Sequence, residues 1–184
     1  MMNWTLPGTS LQVSRAEAPR TEDRFRSMML TGGLTLGQVA TITGLEPYTV
    51  QNWVKRGFLP APRGKRYDME QLCRIITINM LRGALPLEKI CGLLSYVNGN
   101  LDDASDDIIL DSKLYFIFAR LAVRARELDD RDACRRIIEE ELAEYTEPVP
   151  GAKEWVVRAL EIMLTAWLAA KMRAAAEVML QQLD

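Results

Sequence analysis

Polar and cationic side chains are concentrated in one short stretch of the first half of the sequence. Gln51 and Asn52 carry amides, each with a hydrogen-bond donor beside an acceptor, and this pair of groups can read the edge of an adenine. Lys55 and Arg56 follow within one helical turn, and three more cations lie within residues 63–66. Cations this close repel one another unless they are solvated or face a polyanion, so the pattern favours contact with phosphate groups.

Two short helices are predicted to present these side chains. The first spans residues 35–42, with apolar residues on one face and Thr35 as its N-cap. Gly44 supplies a sharp turn, and Gly57 ends the second helix after a basic last turn. Two helices of about two turns joined in this way place the second one, residues 47–56, in the major groove of DNA.

A basic loop follows the second helix. Pro60 and Pro62 interrupt any helix here, and Arg63-Gly64-Lys65 is typical of a tight hairpin tip from which Arg66-Tyr67 returns as a short strand. We expect residues 60–67 to form a basic wing on the phosphate backbone; the alternative is a solvated surface loop. The complete predicted DNA-contact set is Tyr48, Thr49, Gln51, Asn52, Lys55, Arg56, Arg63, Lys65, Arg66 and Tyr67.

Some of these residues also have a structural interpretation. Lys55 and Arg56 end a helix, where cations stabilise the helix dipole. Tyr67 either donates its hydroxyl to a phosphate or packs beneath the wing. Trp53 is expected to belong to the apolar core of this region rather than to stack on a base. The predicted core is Val39, Ala40, Ile42, Val50, Trp53 and Leu59.

A longer pattern runs through residues 36–94. Its members are Leu36-Gly37-Gln38-Val39-Ala40, Thr43-Gly44-Leu45, Thr49-Val50-Gln51-Asn52-Trp53, Gly57-Phe58-Leu59-Pro60, Arg66-Tyr67, Met69-Glu70-Gln71-Leu72, Ile75-Ile76, Met80-Leu81-Arg82-Gly83, Leu87-Glu88-Lys89-Ile90 and Leu93-Leu94. This pattern resembles the winged helix-turn-helix head of MerR-type regulators, and the resemblance implies a DNA-binding head with a third and a fourth helix. The run Gln51-Asn52-Trp53 is more similar to excisionase-like heads. The whole chain resembles a bacterial family of small regulators with a MerR-like head.

The expected fold class is all-α with a small β wing, namely a winged helix-turn-helix domain followed by a helical dimerisation bundle. The head is predicted to span residues 34–99. Asp68 caps its third helix, Met69–Arg82, and Gly83 and Pro86 separate that helix from the fourth, Leu87–Val97.

Two further domains are predicted around the head. Residues 1–33 form an N-terminal arm with a short helix at Thr21–Leu30, and we expect this arm to pack on the body. An acidic linker, Gly99–Asp107, leads into the helical region 100–184.

Three helices are predicted after the linker, over residues 108–128, 131–145 and 152–183. The first carries a narrow apolar seam at Leu110, Leu114, Ile117, Leu121 and Leu128. The last has an apolar surface too wide for one neighbour, which favours a homodimer through the C-terminal helices; the alternative is a monomeric three-helix bundle. An aromatic and methionine cluster is predicted to be core and not a ligand pocket: Tyr115, Phe116, Phe118, Met163 and Trp167.

Charge is unevenly distributed although the formal net charge is only −2. Residues 31–100 carry a net +4, whereas residues 101–147 carry a net −7. A basic head on an acidic body suits a protein that faces DNA with one side.

Several function classes are disfavoured by what the sequence lacks. With no histidine, the commonest general base and metal ligand is missing. Cys73, Cys91 and Cys134 are isolated from one another, so we expect small buried apolar side chains and not a metal or redox site. There is no glycine-rich phosphate loop either. We therefore expect no enzyme, no cofactor and no metal, and with no apolar leader run a cytoplasmic location.

The leading hypothesis is a homodimeric, sequence-specific transcription regulator that binds an inverted repeat in double-stranded DNA. One alternative is a protein-interaction adaptor without DNA binding, in which the acidic body would neutralise Arg56, Arg63, Lys65 and Arg66. Another is an excisionase-like architectural protein, which would have less need for a long helical tail. No small-molecule effector is predicted.

Overall fold

The structure is a computed structural model that describes residues 3–99, 101, 104–124 and 131–183. The described part is mostly helical, with one small two-stranded sheet, in agreement with the predicted all-α class. Its elements are β1 (Asn3–Thr5), β2 (Gln12–Ser14), α1 (Thr21–Met29), α2 (Leu36–Thr43), α3 (Pro47–Lys55), α4 (Met69–Leu81), α5 (Leu87–Asn98), α6 (Asp111–Val123), α7 (Arg131–Glu141) and α8 (Ala152–Gln181). Short 3₁₀ turns at Arg15–Arg20 and Ala104–Asp106 complete it.

The N-terminal segment packs on the body, as predicted, but it does so through a hairpin that the sequence did not suggest. Strands β1 and β2 pair antiparallel, with Trp4 opposite Val13. Leu6 and Phe25 are fully buried against the helices. Long-range hydrogen bonds hold the hairpin turn in place: Tyr115 Oη donates to Pro7 O at 2.9 Å, Asn79 Nδ2 donates to Gly8 O at 2.9 Å, and the backbone N–H of Ser10 donates to Ile42 O at 2.8 Å.

Local sequence signals start and stop the helices between residues 34 and 99 within one residue of the predicted positions. Thr35 caps α2 and exchanges hydrogen bonds with Gln38, which forms a capping box. Gly44 follows in the left-handed region at φ +69°, where a side chain would be strained. Pro47 occupies the first position of α3, and Asp68 caps α4.

Helix α4 is the centre of the fold. Every residue from 71 to 78 is buried, because α4 packs against α6 and α8 on one side and α2 on the other. The buried apolar side chains form a continuous cluster that runs from Trp4 to Trp167. How the chain divides into domains stays a prediction.

The C-terminal helices follow the predicted order with somewhat shorter bounds. The predicted helix 108–128 is α6 over Asp111–Val123, and its expected seam residue Leu128 lies outside the described residues. Of that seam, Leu110 is 46% exposed and precedes the helix. The aromatic and methionine cluster is core, as predicted: Phe118 and Trp167 meet edge-to-face with their centroids 5.8 Å apart, and Phe25 and Phe116 do so at 5.5 Å.

Helix α8 begins after a proline-rich break, where the carboxylate of Glu147 accepts hydrogen bonds from the backbone of Gly151 and Lys153. Its first half is buried through residues such as Leu160 and Met163. From Lys171 onward every described residue of the helix is exposed. Within the described chain, no helix is both long and apolar enough to cross a membrane.

Candidate nucleic-acid interface

Two buried side chains determine which face of α3 meets solvent. Val50 is fully buried and Trp53 is 4% exposed, so the predicted core role of Trp53 is confirmed. The opposite face carries Tyr48, which is 75% exposed, and the exposed Gln51. The remaining predicted contact residues of this helix also reach the surface: Thr49 and Asn52 are half-buried, and Lys55 and Arg56 are exposed.

The basic loop, residues 60–67, ends in the predicted hairpin tip. Gly64 and Lys65 both have positive φ, at 56° and 62°, which is the pattern of a two-residue type I′ turn. The backbone N–H of Arg66 closes the turn on Arg63 O at 2.9 Å. The predicted return strand is reduced to isolated bridges, Arg63 with Arg66 and Leu34 with Tyr67.

The loop is held to the rest of the fold at its base. Leu34 and Tyr67 exchange two backbone hydrogen bonds of 2.8 Å each. The amide of Gln71 donates to Pro60 O at 3.2 Å and to Ala61 O at 2.9 Å. These bonds connect the loop to α4, so its three cations project from a supported backbone and not from a free segment.

Tyr67 lies beneath the loop. Tyr67 is 3% exposed, and burial raises the pKa of its phenol. Of the two roles considered for it, packing under the loop is the one that the geometry supports. Because so little of Tyr67 is exposed, its hydroxyl is poorly placed to contact a phosphate.

The predicted contact cations differ in their surroundings. Arg56 donates to Glu88 at 2.7 Å and lies 4.6 Å above the ring of Phe58, and Arg66 donates to Gly33 O at 2.9 Å. Lys55, Arg63 and Lys65 have no hydrogen bond or ion pair with any described residue. Across the described part of the chain, none of these five cations pairs with a carboxylate of the acidic segment 101–147. Arg63 nevertheless lines a pocket together with Asp107 and Asp111, which belong to that segment.

Helix α3 and the basic loop meet in a shallow apolar pocket of about 390 Å³. Gln51 and Val54 line it from α3, and Pro62 and Lys65 line it from the loop. Gln51 and Lys65 thus border the same opening. This brings the helix face and the loop cations together on one surface.

Sequence reasoning missed two residues that shape this surface. Glu88, on α5, pairs with Arg56 and offsets its charge. No local sequence pattern predicts that contact. Gln71 supports the loop, and its position three residues after Asp68 is the signature of a capping box that could have drawn attention to it.

All three cysteines are free thiols. Cys73 is buried as predicted, and burial raises its pKa well above the ordinary thiol value. Cys91 and Cys134 were expected to be buried but are only half-buried. Partial burial raises the pKa of each thiol. Among the described residues no three acidic, cysteine or histidine side chains are grouped as metal ligands.

Comparison with known proteins finds similar sequences but assigns no activity. Residues 34–118 match a family described as a domain of unknown function (DUF1836). The chain is also similar to "Uncharacterized protein YkrK" of Bacillus subtilis (strain 168), with 32% identity over 78 residues. That match covers 40% of this chain and 34% of the relative, so it spans about a third of the relative's length. No solved structure matches.

Proposed function

We propose that this protein is a sequence-specific DNA-binding transcription regulator with a winged helix-turn-helix head. The observation that carries the proposal is the shared surface of α3 and the basic loop, where Gln51 and Lys65 border one opening. An exposed helix with amide side chains, flanked by a supported cationic loop, has the groups needed for base reading and phosphate binding together. The proposal includes no enzymatic activity and no cofactor.

In this proposal α3 enters the major groove and the basic loop acts as the wing. Gln51 and Asn52 read base edges, and Lys55, Arg63 and Lys65 contact phosphates on either side. The pocket between helix and wing has apolar walls, which suit the methyl group of a thymine next to the base read by Gln51.

The partner in this proposal is a second copy of the chain, joined through α8. An apolar seam with the three-and-four spacing of a coiled coil runs along the exposed side of this helix. Met172, Met179 and Leu183 are 73%, 66% and 80% exposed. The full seam is Ile162, Thr165, Ala169, Met172, Ala176, Met179 and Leu183, and all seven residues are exposed.

An antiparallel arrangement of two α8 helices fits this seam best. With Met172 at the two-fold axis, the bulky Met179 meets the smaller Thr165, and the two seams overlap along their full length. The facing pairs would be Ile162 with Leu183, Thr165 with Met179, and Ala169 with Ala176. A seam of residues 162–183 is about 32 Å long on a helix about 10 Å across.

The area of such an interface is sufficient for a modest dimer. A strip of that size removes on the order of 1,000 Å² from two copies, close to the roughly 1,200 Å² at which stable interfaces begin. An apolar groove of about 620 Å³, lined by Leu85 and Cys134 beside Ile162, continues the seam onto the body and adds to the area.

Binding to random-sequence duplex DNA across a salt series tests the DNA-binding proposal. The wild-type chain should bind weakly with a steep salt dependence. Arg63→Ala/Lys65→Ala should reduce affinity and lower the slope of log K against log salt by about 2, because two phosphate contacts are lost. The matched control Lys113→Ala/Arg136→Ala removes two exposed cations of the acidic segment and should bind as the wild type does.

Two results would count against DNA binding. Absence of binding at low salt would favour the protein-interaction adaptor. Equal losses in the loop variant and in its control would show that attraction depends on overall charge and not on the basic loop.

A further inference from the structure

A polar pocket of about 410 Å³ lies on another part of the surface, where four segments meet. The basic loop contributes Arg63, α4 contributes Arg74, and the end of α5 contributes Asn98. The segment before α6 contributes Asp107, and the first residue of α6 is Asp111. The pocket is separate from the helix face that carries Gln51, since the two share only the basic loop as a wall.

One buried acceptor at this pocket has no hydrogen-bond donor. Asn98 is 4% exposed, and its Oδ1 makes no hydrogen bond. The side chain of Asn98 lies close enough to Asp111 to lower the pKa of that carboxyl, although burial raises that pKa overall. Buried polar side chains in folded proteins are nearly always satisfied, so an acceptor left without a donor beside a pocket points to something that enters it.

The charges at the pocket leave an excess of acceptors. Oδ2 of Asp111 pairs with Arg74 at 3.3 Å, and Glu70 uses both of its oxygens on Ser112, at 2.8 and 2.7 Å. Asp107 has no hydrogen bond or ion pair with any described residue. Burial and the nearby carboxylates of Asp111 and Asp106 raise the pKa of Asp107 to about 6, although Arg74 acts in the opposite direction.

We propose that this pocket binds a small organic cation with a primary ammonium or guanidinium group. Asn98 Oδ1 and the Asp107 carboxylate would accept its N–H donors. The volume is at the small end for ligand pockets, which suits a molecule of a few carbons.

Occupancy of this pocket would connect the basic loop to the helical body. Arg74 already donates to Phe58 O at 3.2 Å, and Pro60 and Ala61 form part of the pocket wall. A bound cation would pull Asp107 and Asp111 together beside these residues and hold the loop in place. This effect on DNA rests on the proposed function, whereas the binding site itself does not.

An isosteric series tests the site with the full-length chain. Calorimetric titrations would compare 1,4-diaminobutane, 1,4-butanediol and succinate, which are similar in length and carry positive, zero and negative charge. Only the diamine should give saturable heat with one site per chain. Asp107→Asn, at a half-buried position, should weaken diamine binding at least tenfold. The control Asp23→Asn makes the same charge change on the exposed face of α1 and should leave diamine binding unchanged.

The outcomes separate the two proposals. Absence of saturable binding by the diamine, equal binding of the diol, or an equal loss in Asp23→Asn would overturn the site and leave a pocket filled by water. If the diamine binds as expected, it should tighten DNA binding by the wild type at least threefold more than by Asp107→Asn. Saturable diamine binding by a chain that binds no DNA would support the site and count against the DNA-binding function.

Discussion

Arg74 on α4 and Asp111 on α6 form an ion pair of 3.3 Å whose side chains are only 5% and 12% exposed. The same guanidinium donates to Phe58 O, directly before the basic loop. One buried arginine therefore joins the central helix, the helical body and the segment that leads into the loop.

Replacing this arginine should destabilise the protein strongly. Arg74→Ala would leave Asp111 buried without its partner, and removing one member of a buried pair costs roughly 3–5 kcal/mol. The expected result in urea unfolding is a decrease of that size in the free energy of unfolding. Arg74→Met/Asp111→Leu, which removes both charges and keeps the volume, should cost less than Arg74→Ala. A double variant that is less stable than the single one would contradict this account.

Asp107 should make stability depend on pH in the acidic range. Its pKa is raised from 3.8 to about 6, chiefly by burial, so the folded state holds the proton more tightly than the unfolded state does. Between these values the contribution of Asp107 to the free energy of unfolding falls as pH rises, and it is unfavourable at pH 7.

Asp107→Asn should accordingly stabilise the protein at pH 7.5, by about 1 kcal/mol once solvent screening of the half-buried carboxyl is allowed for. The difference between variant and wild type should disappear near pH 4, where the native carboxyl is protonated. Thermal or urea unfolding at both pH values measures it. A variant that is less stable than wild type at pH 7.5 would show that Asp107 has a stabilising partner instead.

The seam on α8 predicts how oligomeric state responds to substitution. Met172→Glu would place two carboxylates at the proposed two-fold axis and should convert the dimer to a monomer in analytical ultracentrifugation. Ala174→Glu adds the same charge on the opposite side of the exposed helix and should leave the dimer intact.

Cysteine cross-linking distinguishes the two helix directions. Met172→Cys should form an intermolecular disulfide in either arrangement. Leu183→Cys should cross-link to Ile162→Cys of the other copy only when the helices are antiparallel. Leu183→Cys pairing with itself would indicate a parallel dimer.

Substitutions at two positions of α3 should affect DNA binding in different ways, one through base reading and the other through phosphate contact. Gln51→Ala should lose about 1–3 kcal/mol of discrimination at one base pair and relax specificity there. Lys55→Ala should weaken binding to all sequences alike and reduce the salt slope by about 1. Competition binding with a selected site and its single-base variants measures both, and a uniform loss in Gln51→Ala would remove that residue from base reading.

Local chemistry was readable from the sequence because it depends on neighbours within one turn. Thr35 and Asp68 cap the helices that follow them, and Gly44 takes the left-handed conformation that ends α2. The tight tip at Gly64-Lys65 is another case, since two positive φ angles in succession are what a hairpin of this twist requires.

Only the tertiary structure decided which side chains meet. Glu88 approaches Arg56, and the loop is held by Gln71, through contacts between separate elements that no local spacing announces. The N-terminal hairpin also escaped prediction, because strands of three residues carry almost no alternating pattern.

The same contrast applies to the two proposed binding surfaces. The cations and amides between positions 48 and 67 lie close in sequence, so their type and spacing alone indicated a polyanion-binding surface. Asn98, Asp107 and Asp111 belong to a turn and two helix ends that meet Arg74 only after packing. The sequence by itself determined the local elements and the chemistry that each one carries. Packing between the elements decided which polar groups were buried and which of them found partners, because desolvation depends on the whole packed chain.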